Sequence, residues 1–191
     1  MFTIQHTSAF DVGRYGKHLK DLPEVDRINR FGYNANNYTI DQLVLSIVYA
    51  PNEHQLWCAF DDKTGTDVGW GHMAKNEDDT WELAVSVDSD FQRKGVGGRL
   101  IAEMLSWAKF RKITEVYMHC IEDNRVIQHL AIKHNLKTKE RGGGERTAAI
   151  EVPTPNIIEA YEHMMKEHVE ITNQLVDLRT KLFKLWTKQE T

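Results

Sequence analysis

The sequence predicts an α/β sandwich, with a mixed, mostly antiparallel sheet flanked by helices and a long C-terminal helix after it. Three observations carry this. Apolar residues alternate over consecutive segments separated by turn residues, a glycine-rich loop leads from the last of these into an amphipathic helix, and beyond Thr154 the apolar period becomes heptad-like. At 191 residues with 41% apolar content, the chain is long enough for one well-buried core and short for two. The expected division is a domain over 1–153 and an appended helix over 154–191.

Phe2-Thr3-Ile4-Gln5 alternates as a short strand, and Ala9 to Leu22 fits a helix despite Gly13 and Gly16. Arg27 to Tyr38, rich in Asn, Tyr and Gly, reads as a loop that either carries binding groups or merely connects, anchored by its aromatics. Thr39 followed by Gln42 forms a capping box, so a helix should begin there with Leu43, Val44, Ile47 and Val48 at helical spacing. Strands are expected at His54 to Phe60, Val68 to Ala74 and Trp81 to Val87. Asp61 to Gly65 and Asn76 to Asp79 supply turns that make these an antiparallel meander.

Past the glycines, Leu100, Ile101, Met104, Leu105 and Ala108 share one helix face, which predicts packing on a sheet. Thr114 to Ile121 is β-rich. Asn124 can cap a second helix burying Val126, Ile127, Leu130 and Ala131, with Asn135 at its left-handed stop. Leu136 to Lys139 and Arg146 to Val152 close the domain as a hairpin around Gly142-Gly143-Gly144.

Thr154 can cap the last helix and Pro155 suits its first position. Ile157, Tyr161, Met164, His168, Ile171, Leu175, Leu178, Leu182 and Leu185 then recur in steps of four and three, a coiled-coil pattern. A helix of roughly 33 residues is about 50 Å long at about 1.5 Å per residue, against roughly 40 Å for a 150-residue globule. It should protrude, break, or pack on another chain, which predicts a homo-oligomer, a homodimer being the simplest. Ile158, Met165 and Trp186 widen the stripe and leave packing on its own domain open.

A formal charge of −4 gives no overall basic field, so nucleic acid is not an expected partner. No apolar run approaches about 18 residues and no charged-then-apolar leader follows Met1, so neither a membrane partner nor secretion is expected, and the location should be cytoplasmic. Cys58 and Cys120 are read as packing thiols. His163 and His168 are five apart and do not make an H-E-x-x-H pair, so no metal is expected.

The loop Gln92-Arg93-Lys94-Gly95-Val96-Gly97-Gly98 concentrates the chemistry. Its glycines permit close backbone approach, the helix start that follows offers unpaired N–H groups and a positive dipole end, and Arg93 and Lys94 add charge. That is a pyrophosphate site in kind, although a purely structural glycine turn has the same composition. A dinucleotide fingerprint would need a third glycine where Leu100 stands, and a triphosphate loop would need G-x-x-x-x-G-K-[ST].

The run from Glu82 to Leu100 resembles the acetyl-CoA signature of the GNAT N-acetyltransferase superfamily, with its Q/R-x-x-G-x-G/A core at the end of a fourth strand. The resemblance spans roughly Phe2 to Val152 and includes a second block at Asn124 to Leu136. It implies an acyltransferase using acetyl-CoA as co-substrate. Val85 and Val87 backbone groups would hold the pantetheine and acetyl carbonyl, Gln92 to Gly98 the pyrophosphate, and Asn124 the thioester end. One departure is visible: where many members carry the Tyr that protonates the departing thiolate, this chain has Ala131. Bacterial protein-lysine acetyltransferase domains are similar in placing an acid ten residues before the loop's Gln, which makes Glu82 the candidate base. Arg30-Phe31 also looks like those relatives. His72 and His119 remain alternatives, as bases or as ordinary hydrogen-bonded sheet residues. The implied acceptor is a primary amine of a protein or small molecule. A non-catalytic acyl-CoA-binding module with an oligomerising helix is the competing reading.

Overall fold

The computed structural model describes residues 1–7, 9–121, 137–141, 145–152 and 155–188. The expected helix from Asn124 to Asn135, with Asn124 and Ala131, lies outside them, as does the Gly142–Gly144 turn.

The chain divides into two compact units, Met1–Thr154 and Pro155–Thr191. In the first, β1 (Phe2–His6) leads through a 3₁₀ turn to α1 (Val12–Asp21), α2 (Glu24–Phe31) and α3 (Asn37–Tyr49). The meander β2 (His54–Asp61), β3 (Asp67–Lys75) and β4 (Trp81–Val87) follows, then α4 (Val96–Phe110), β5 (Glu115–Ile121), β6 (Lys137–Arg141) and β7 (Glu145–Glu151). The seven strands form one sheet in the order β1-β2-β3-β4-β5-β7-β6. Every neighbouring pair is antiparallel except β4 and β5, so the sheet is mixed and mostly antiparallel, as its alternation predicts.

Alternation divides the strand side chains between two layers. Trp57, Ala59, Met73 and Leu83 join Val96, Leu100, Ile101, Met104 and Ala108 of α4 in one apolar cluster. Leu56, Cys58 and Trp70 point the other way and pack with Val12, Tyr15 and Leu19 of α1 and Ile40 and Ile47 of α3. The α4 layer fits closely because Gly71 lacks a Cβ, which would stand 2.9 Å from the Met104 sulfur. Gly16 plays the same part between helices: a Cβ there would meet Cγ2 of Val44 at 2.6 Å.

Three local readings need correction. The segment from Arg27 is not a loop throughout, because its first part continues α2. Pro23 precedes the helix, Glu24 and Asp26 complement its dipole, and Gly32 ends it at φ 81°. The next helix begins at Asn37, not Thr39: the Asn36 side chain accepts from the Thr39 N–H, which makes Thr39 a residue of the first turn. Of its expected apolar face, Ile47 is buried while Val48 is exposed.

In the second unit, α5 runs from Ile157 to Lys188. Its start is set by a reciprocal box in which the Glu159 N–H donates to Asn156 Oδ1 and the Asn156 N–H to Glu159 Oε2, each at 2.9 Å. Asn156 therefore caps the helix, and Pro155 lies outside it; Thr154 is not among the described residues. Met164, Ile171 and Leu175 of the heptad pattern are exposed, as are Ile158, Met165, Val169 and Val176.

Candidate acyl-donor and acceptor site

β4 and β5 run parallel, but their register contains only two pairs, Trp81 with Val116 and Glu82 with Tyr117. Both strands continue for several residues beyond that point. Residues Leu83 to Val87 keep β3 as partner on one side, so the backbone groups that alternate toward β5 face an opening instead of a ladder. Val85 and Val87 are half-buried along it.

The mouth of the opening is the glycine loop. Gln92 is extended and anchored, its Nε2 donating to the Val87 carbonyl at 3.2 Å. Arg93 and Gly95 then take positive φ values of 60° and 86°, and α4 begins at Val96. Left-handed residues beside a helix start turn successive N–H groups to one side, an anion-binding arrangement. The Arg99 N–H returns to the Gly95 carbonyl, whereas the N–H groups of Val96, Gly97 and Gly98 belong to the first turn and have no intrahelical acceptor. Arg93 and Lys94 are exposed beside them.

A polar clasp behind the loop joins α1 to β4. The Ser86 hydroxyl and His18 Nε2 are 2.9 Å apart, and His18 Nδ1 lies 3.1 Å from Asp88 Oδ1. The carboxylate only accepts, so the Asp88 contact is made by an Nδ1–H. The order of groups is that of a nucleophile relay, but Ser86 and His18 are buried in the α1 layer, so the relay acts as a fastening. Neither Ser86 nor His18 stands out in the sequence; the i, i+2 pair Ser86 and Asp88 is the only signal.

On the sheet face beneath α1 to α3, α2 lies against β4 and β5. Glu82 is half-buried and opposite Tyr117, their side chains on one face at the point where the strands part. His72 stands on β3 opposite Ala84, two residues along the same face. It is buried, and both ring nitrogens are engaged: Nδ1 with Arg30 Nη2 at 3.4 Å, Nε2 with His54 Nδ1 at 3.0 Å. Burial, with the Arg30 charge and His54 adding to it, holds His72 well below the ordinary imidazole range. Burial also lowers His54. His119 lies on β5 opposite Thr147 of β7. Cys58 is buried and its thiol is pushed up, chiefly by burial, which agrees with a packing role.

The family model for the acetyltransferase (GNAT) family matches residues 22–135. The chain belongs to the GNAT acetyltransferase family. Solved GNAT structures superimpose on it. The GNAT domain of PAT from S. lividans gives a TM-score of 0.65 at 12% identity, over 78% of this chain and 89% of that one. Spermidine N-acetyltransferase from Vibrio cholerae, in complex with CoA and spermine, gives 0.61 at 13% identity over 79% and 95%. PaiA N-acetyltransferase from Thermoplasma acidophilum, in complex with coenzyme A, gives 0.61 at 17% identity over 79% and 99%. Comparison with curated proteins finds no significant match. Among the described residues, no helix is long and apolar enough to cross a membrane, and no three His, Cys, Asp or Glu side chains gather as a metal site.

Proposed function

We propose that the chain transfers an acetyl group from acetyl-CoA to a primary amine, with the donor in the opening between β4 and β5 and Glu82 as general base. The observation that carries this reading is the early end of the β4–β5 ladder beside the left-handed loop and helix start at Gln92 to Gly98. An extended thioester tail suits the first and a pyrophosphate the second. Each charge-assisted hydrogen bond there contributes about 1.5 to 3 kcal/mol.

A neutral amine attacks the thioester carbonyl, the C–N bond forms, and the C–S pair departs with sulfur. The products are the acetamide, the CoA thiol and one proton released from the ammonium form. A lysine-like amine of pKa about 10.4 costs roughly 4.6 kcal/mol to deprotonate at neutrality, so a base matters. Glu82 is favoured over His72 because burial and the Arg30 charge depress the affinity of His72 for protons. Backbone N–H groups of β4 that face the opening would stabilise the oxyanion. Asn124 is assigned to the thioester end on sequence alone. With Ala131 in place of the usual Tyr, solvent protonates the thiolate in this scheme, which a thiol pKa of about 8.5 permits.

The same Ala131 favours a second reading, an acyl-CoA-binding module without turnover. Thiol release from acetyl-CoA across an amine panel separates the two. Amine-dependent release that falls about 10²- to 10⁴-fold in kcat in Glu82→Gln, with CoA binding intact, supports catalysis. CoA binding with no amine-dependent release supports the module. The heptad stripe of α5, with Met164, Ile171 and Leu175 exposed, supports a second copy of the chain as its partner in a coiled coil.

A further inference from the structure

Two arginines three residues apart on α2 are used in opposite ways. Arg27 is spent on the fold: its guanidinium donates to the carbonyls of Lys20, Leu22 and Ala35 and so ties α1, α2 and the turn before α3 together. Arg30 is half-buried, and among the described residues its hydrogen bonds go only to neutral groups. One nitrogen, Nη2, serves both of its hydrogen bonds, to the Tyr15 hydroxyl at 3.0 Å and to His72 Nδ1 at 3.4 Å. Its guanidinium carbon lies 4.9 Å from the Phe31 ring centroid. Among the described residues it has no carboxylate partner, and Nη1 and Nε make no hydrogen bond. A partly desolvated cation usually has an anion to meet it.

The neighbours of Arg30 are arranged to hold the guanidinium in place without neutralising it. Arginine has donors only, so His72 Nδ1 must accept from it; the His72 proton then sits on Nε2 and is given to His54 Nδ1. His72 and Tyr15 are buried to within 4% and 1% exposure, which fixes two acceptors rigidly under one edge of the fork. Nη1 and Nε are left for an anion. His72 stands opposite Ala84, on the face that also carries Glu82 two residues earlier and at the level where β4 and β5 part.

We propose that Arg30 is the receptor for a carboxylate on the acceptor, and that the substrate class is an amine that also bears a carboxylate, as in a free amino acid. The proposal rests on the acetyl-transfer reading for its biological sense. An ion pair from the unused Nη1 or Nε would orient the acceptor with its amine toward Glu82 and the thioester. The same fixed cation disfavours a polycationic acceptor, which brings no anion and adds like charge.

The test compares free amino acids with their carboxamides, which keep the amine and lose the anion. In thiol-release assays with acetyl-CoA, the wild-type protein should favour the acid by about 10- to 100-fold in kcat/KM. Arg30→Gln should abolish that preference, with the loss falling mainly on the KM of the acid. Arg30→Lys, which keeps the charge and loses the fork, should fall between. Equal use of acid and carboxamide by the wild type, or a preference that survives Arg30→Gln, overturns the proposal. Calorimetric titration of N-acetyl amino acids and their carboxamides into CoA-loaded protein asks the same question without turnover. Discrimination there that Arg30→Gln removes upholds the carboxylate site even if no amine releases thiol, in which case the transfer reading alone fails. No discrimination there overturns the site whatever the thiol assay shows.

Discussion

Acid should loosen this fold earlier than its carboxylates would require, because His72 is held neutral. In the unfolded chain the imidazole takes up a proton as pH falls through 6.5, the ordinary value, while in the fold burial and the Arg30 charge resist it. Between 6.5 and its depressed native value the unfolded state binds more protons, so stability falls as pH falls. At pH 5, which is 1.5 units below 6.5, one such group costs up to about 2 kcal/mol at about 1.36 kcal/mol per unit. His54, lowered in the same direction and hydrogen-bonded to His72, adds to the slope. Urea midpoints at pH 7 and pH 5 measure it, since at about 2 kcal/mol per molar a loss of that size moves the midpoint by roughly 1 M. His72→Gln keeps a polar side chain and removes its titration, so its midpoint should fall by distinctly less over the same interval, leaving the His54 contribution. Equal acid shifts in wild type and His72→Gln would refute the reasoning.

The packing of α1 on α3 gives a paired prediction. Gly13→Ala, with nothing within 4 Å of the added Cβ, should stabilise by about 0.5 to 1 kcal/mol through helix propensity; Gly16→Ala, facing the stiff Val44 at 2.6 Å, should destabilise by about 1 to 3 kcal/mol, both read by urea melts. On α5, charges at exposed seam positions, Ile171→Lys with Leu175→Lys, should lower the mass measured by light scattering to that of one chain without loss of helix content; an unchanged mass would end the coiled-coil proposal.

The meander is legible in the sequence because each strand is bracketed by strong turn residues and carries period-two alternation, and Trp81 to Val87 falls at the bounds read from sequence. The α4 face is legible for the same kind of reason: Leu100, Ile101, Met104 and Ala108 are all buried. Helix starts are less so, since Asn36 and Asn156 compete with Thr39 and Thr154 for the cap, and which one wins depends on where the chain enters the helix. α2 is hidden by its composition: its eight residues include Asp26, Arg27, Asn29 and Arg30, and no residue of it is buried. The glycine loop announces itself, because its glycines, its Arg93 and Lys94 and the helix start that follows are contiguous in sequence. The His54–His72–Arg30–Tyr15 network and the His18–Ser86–Asp88 clasp do not, because each joins residues brought together only by strand register and helix docking.

Titration of CoA into the protein by calorimetry tests the central claim most directly, with Gly95 as the lever. Gly95 sits at φ 86° with open space where a Cβ would go. Gly95→Ala adds only backbone strain, about 1 to 2 kcal/mol of stability, whereas Gly95→Glu adds the same strain and a negative charge where the pyrophosphate is assigned. Saturable CoA binding by the wild type, retained in Gly95→Ala and weakened at least about ten-fold in Gly95→Glu, is the expected result. Absence of CoA binding by the wild type, or equal affinity in the two variants, would contradict the assignment of Gln92 to Gly98 as the donor site.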